Sequence, residues 1–180
     1  MRLHHAVVAF LIVIVPPASV SADPAGTFVL SPSQKFVQDF YDWYVPKAQG
    51  DNNGAPWMIA LKEKSSAFDP KLAAALTEDN AAQAKVDDDI AGLDFDPFLN
   101  SQDPGERYVV GAAKWKGNML QVDVYSIASG KKSDKPDVVD DLVKTQGHWQ
   151  FVNFEYPGEG DLLSTLATLK ADREKPATPN

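Results

Sequence analysis

The chain has 180 residues, 44% of them hydrophobic and 23% charged, with a net charge of −8 and no cysteine. The lack of cysteine excludes disulfides, thiolate metal sites and an acylated lipoprotein terminus. The acidity opposes phosphate backbones and anionic lipid heads, which excludes nucleic acid and suits a cationic partner.

Arg2 and His4-His5 precede an apolar run at residues 6–15, then Pro16-Pro17 and the small residues 18–22. This is the order of a secretory signal, and its apolar run is far shorter than the roughly 20 residues a spanning helix needs. Cleavage after Ala22 is expected, giving a periplasmic or secreted protein that starts at Asp23, lacks a membrane anchor and has lost one positive charge with Arg2. Residues 23–30 read as an N-terminal segment, 31–172 as a single domain and 173–180 as a flexible tail; the remaining length suits one core.

Ser31-Pro32-Ser33-Gln34 reads as a capping box with proline at the first helical position. Phe36, Val37, Phe40, Trp43 and Tyr44 follow at helical spacing, and Pro46 is expected to end the helix. A polar loop at 49–55 leads to a short helix at 56–64, and Asp69-Pro70 opens a third that ends near Lys85.

Strand formers then take over at 108–115 and 119–127, joined by a tight turn at 116–118. In the second strand Leu120, Val122 and Val124 alternate with Gln121, Asp123 and Tyr125, so one face is apolar and the other mixed. A basic loop at 128–136 precedes strands at 138–145 and 149–156, and Asp161 caps a last helix with Leu162, Leu163, Leu166 and Leu169 on one face. The expected fold is α+β: N-terminal helices on a curved antiparallel sheet of about four strands, closed by a C-terminal helix.

The stretch Leu93-Asp94-Phe95-Asp96-Pro97-Phe98-Leu99-Asn100-Ser101-Gln102-Asp103 is not explained by core periodicity. With Trp149-Gln150-Phe151-Val152-Asn153-Phe154-Glu155-Tyr156 and the aromatic helix at 36–44, it resembles the bacterial exported family known as domain of unknown function 3828. The resemblance spans about residues 33–169. It implies the cone-like fold of the nuclear transport factor 2-like superfamily, and many members carry a lipid anchor that this chain lacks.

Familiar hydrolase signatures are absent, so any chemistry would be acid–base. The candidate is Asp123, on the mixed face of its strand; its alternative is a solvent-facing carboxylate. His148, beside turn residue Gly147, reads as a solvated strand edge. Asp87, Asp88 and Asp89 with Asp94, Asp96, Asn100, Gln102 and Asp103 hold enough oxygens for calcium, but Phe98 stands at the third ligand place and no glycine follows. The expected role of Phe95, Phe98 and Leu99 is to pin this loop to the core, with Asp and Asn side chains capping its turns.

Asp94, Asp96, Asn100, Gln102, Asp103, Asn153 and Tyr156 are the candidate ligand- or partner-binding residues. No metal or cofactor is expected, and the oligomeric state is left open. The leading functional expectation is an exported non-catalytic domain that recognises a small molecule or another envelope protein. The alternatives are a small acid–base enzyme with a buried carboxylate and an acidic inhibitor or immunity protein for a basic partner.

Overall fold

The computed structural model describes residues 29–50, 54–86 and 91–175. The signal segment, Asp87 to Asp89 and the last five residues lie outside them. The order is α1 (Pro32–Ala48), α2 (Pro56–Glu63), a 3-10 turn (Ser65–Ala67), α3 (Pro70–Gln83), β1 (Arg107–Lys116), β2 (Met119–Ala128), β3 (Lys131–Lys132), β4 (Val138–Thr145), β5 (His148–Tyr156), β6 (Gly160–Asp161) and α4 (Leu162–Arg173). The sheet is antiparallel and open, ordered β1-β2-β4-β5-β6, with β3 beside β2.

The α+β arrangement and the four long strands follow the pattern of the sequence. Two short strands, β3 and β6, raise the count above four, because two residues carry no alternation to read. No helix among the described residues is long and apolar enough to cross a membrane.

Helix α1 opens on the expected capping box: Gln34 N donates to Ser31 Oγ, and Ser31 N to Gln34 Oε1 at 3.0 Å. It does not stop at Pro46 but runs two residues further. Pro46 removes the bond that would reach the Asp42 carbonyl. Both residues are exposed, so water can satisfy that carbonyl, while buried Tyr44 and Val45 hold the helix on the core. On the other side Gln34 and Gln38 reach β1: Gln34 donates to Gly111 O, and Gln38 both donates to Tyr108 O and accepts from Val110 N. These bonds occupy backbone groups on an otherwise free edge strand.

The core lies between α1 and the inner sheet face. Phe40, Tyr41 and Tyr44 of α1 pack with Phe68, Phe98, Phe151 and Phe154, and all seven are buried. Phe151 and Phe154 are three apart yet both face inward. Asn153 pairs with Asp141 and Phe151 with Leu142, so Val152 is the extra residue of a β-bulge that flips the alternation.

Candidate functional site

The acidic stretch is held by four tyrosines. The hydroxyls of Tyr156, Tyr41 and Tyr108 donate to the successive carbonyls of Pro97, Phe98 and Leu99 at 2.8, 2.9 and 3.3 Å. Tyr44 donates to Asp96 Oδ2 at 2.5 Å, while Asp96 Oδ1 accepts from the amides of Phe98 and Leu99. Phe98 and Leu99 are fully buried, and Phe95 sets its ring edge-to-face against Tyr156. The expected pinning is therefore present, with Phe95 only half-buried.

Burial pushes the Asp96 carboxyl up to about 6, against the three hydrogen bonds that pull it down. The same burial raises Tyr44, and raises Tyr108 to about 12, so both phenols stay protonated donors.

The seven candidate binding residues do not form one site. Asp94, Asp96 and Gln102 line one cleft; Asn100 and Asp103 line another of about 300 Å³. Asp103 donates its amide to Ser101 Oγ, and Asn100 takes a positive φ of 47°. Asn153 joins β5 to the start of α4, donating to Asp161 Oδ1 and accepting from Leu163 N. Asp161 is that helix's N-cap; burial raises its carboxyl, but bonds from Ser164 and Asn153 outweigh this and hold it below the usual range. Tyr156 is buried. Among the described residues no group of three His, Cys, Asp or Glu side chains is placed to hold a metal.

Asp123 is half-buried on the face away from α1, opposite Val139, and lines none of the clefts described here. The fully enclosed carboxylate of the sheet is Asp140, and its neighbour Asp141 is buried on the opposite face. Sequence reasoning missed Asp140 although it stands in phase with inward Val138 and Leu142. Its Oδ1 lies 3.0 Å from the Tyr41 hydroxyl and its Oδ2 has no partner among the described residues.

Tyr41 has one hydroxyl hydrogen and two neighbouring acceptors, Phe98 O and Asp140 Oδ1. Either Tyr41 shares its hydrogen between the two acceptors, or it donates to Phe98 O while a protonated Asp140 donates to the Tyr41 oxygen. Burial raises the Asp140 carboxyl well above its usual range, against the Tyr41 bond that lowers it. Burial therefore favours the neutral form of Asp140 in the core.

His148 is exposed at the start of β5. It borders a cleft of about 500 Å³ with Phe36 and Trp149, close to the exposed Trp115.

A cleft of about 630 Å³ opens between the end of α1, the start of α2, the second half of α3 and the acidic stretch. Pro56, Trp57, Leu93, Phe95 and Pro104 make mainly apolar walls, with Asp79, Asn80, Asp94, Asp96 and Gln102 among them. The wall is braced from behind. Asp79 accepts from Leu93 N at 2.8 Å and from Arg173 at 2.6 Å, and Arg173 also donates to Ala91 O, tying α3, α4 and the acidic stretch together. Gly92 is required here, because a Cβ would stand 2.8 Å from Asp79 Oδ2. Trp57 Nε1 is buried and meets no acceptor among the described residues.

Comparison with protein families, curated proteins and solved structures gives no match.

Proposed function

We propose that this chain is an exported, non-catalytic binding domain of cone-like fold, related to the family its sequence resembles, and that it holds a small molecule in the 630 Å³ cleft. The observation that carries this is the cleft itself: its size and mainly apolar walls with a few polar groups suit a small organic ligand. Its braced wall gives a site that is already formed before binding.

The enzyme alternative has one point in its favour, since Asp96 lines the cleft and burial pushes its carboxyl up to about 6. Two amides and a phenol already occupy that carboxylate, which leaves it little capacity to take a proton from a substrate. The more deeply buried acid, Asp140, lines none of the clefts described. Binding is therefore the better reading.

A thermal-shift screen of small metabolites tests it, with Asn80→Trp as a plug that fills the cleft from α3. A ligand at a hundredfold excess over its Kd adds about 2.7 kcal/mol of stability. Ligands that stabilise the native protein and not the folded Asn80→Trp variant support the proposal. Equal stabilisation of both would overturn it.

A further inference from the structure

The charges around the cleft are unequal in what they have left to give. Asp79 already faces the Arg173 guanidinium and the Leu93 amide. Asp96 is held by three donors. Asp94 is different: it is exposed at the rim, and its hydrogen bond is one from the Gln102 amide at 3.3 Å. Among the described residues that line the cleft there is no Lys, Arg or His.

A ligand entering here therefore meets one unneutralised carboxylate and no positive charge. It also meets two aromatic rings, Trp57 and Phe95, whose faces attract cations. A hard inorganic ion is a poor fit, because calcium wants six to eight oxygens and two of the three carboxylates are spent. An anion would meet the charge of Asp94 and no cation among the described lining residues.

We propose that the cleft takes a small organic cation, an amine or quaternary ammonium on an apolar body, with its charge beside Asp94 and its body against Trp57, Phe95 and Pro104. This rests on the cleft being the binding site, and it adds the sign and shape of the ligand. It also gives the acidity of the whole chain a local use, since a net charge of −8 draws cations toward the surface.

Three probes that share a phenyl ring separate charge from shape: benzyltrimethylammonium, benzyl alcohol and phenylacetate. Each is titrated into the ¹⁵N-labelled full protein while the indole N–H signal of Trp57, assigned with Trp57→Phe, is followed by NMR. The cation is expected to move that signal at the lowest concentration. Asp94→Asn should weaken it about fivefold, equivalent to about 1 kcal/mol, and added salt should weaken it further. The same substitution should leave the melting temperature and the benzyl alcohol titration unchanged, because Asp94 is exposed and braces nothing else.

If benzyl alcohol binds as tightly as the cation, or Asp94→Asn has no effect on the cation, the charge inference is overturned and the cleft reading stands. If phenylacetate binds best, the inference is likewise overturned. If no probe moves Trp57, the cation inference falls, and the metabolite screen with the Asn80→Trp plug then decides separately whether the cleft binds anything.

Discussion

Replacing Asp140 with Asn tests whether the core holds a neutral acid. Asparagine keeps the shape and can donate its amide to the Tyr41 oxygen while Tyr41 still donates to Phe98 O, so the local bonds survive. The carboxyl of Asp140 is raised by burial in the folded protein and ordinary in the unfolded chain. A group raised on folding contributes stability that is fully present below its unfolded pKa and is lost as pH rises toward its folded one. Wild type should therefore lose stability through this residue as pH rises above the ordinary carboxyl range. Asp140→Asn has no such proton to lose. Urea unfolding followed by tryptophan fluorescence at several pH values should give similar stabilities near pH 4 and a variant that is increasingly the more stable toward pH 7. Other groups, Asp96 included, are common to both proteins and cancel in the difference. Parallel curves for the two proteins across this range would refute the protonated Asp140.

Phe98→Ala should cost about 3–5 kcal/mol by urea unfolding, as expected for truncating a fully buried ring. Phe95→Ala should cost less, because that ring is half-buried and, among the described aromatics, rests on Tyr156 alone. Tyr44→Phe removes a donor from Asp96, so the carboxyl should titrate higher than in the wild type when both are followed by ¹³C NMR; an unchanged midpoint would mean that the Tyr44 bond does not act on it. Protein recovered from the periplasm should begin at Asp23, and an intact Met1 in that fraction would contradict cleavage.

Local signals in the sequence carried over well. The Ser31 and Gln34 capping box, the Asp69 and Asp161 caps and the alternation through Leu120, Val122 and Val124 depend on neighbours a few residues apart, and all are present. Pro46 misled because its cost depends on whether the carbonyl it orphans can reach water, which spacing does not tell. The aromatics of the acidic stretch were readable as anchors, since two Phe among aspartates are costly in solvent. Their tyrosine partners were not: Tyr41 lies 57 residues from Phe98 in the chain, and pairing at that distance leaves no local mark.

The candidate carboxylate Asp123 and the fully buried Asp140 lie on opposite faces of the sheet. Asp123 sits in the mixed phase of β2, whereas Asp140 shares the inward phase of Val138 and Leu142 in β4. The run Val138-Val139-Asp140-Asp141-Leu142 hides that phase, because two adjacent aspartates look like a solvated pair. Asp141 completes the disguise: it is buried on the other face, where it accepts from Gln121. The cleft itself could not be read in advance, since its walls come from three helices and a loop far apart in sequence.

The most direct measurement for the account is the location of a bound ligand by backbone amide NMR, using any compound that stabilises the protein in the metabolite screen. The account predicts that the shifts gather at Trp57, Asn80 and residues 93–96 and 102, around the cleft. Shifts gathered instead at Asp123, Tyr125 and Val139, on the opposite face of the sheet, would contradict it.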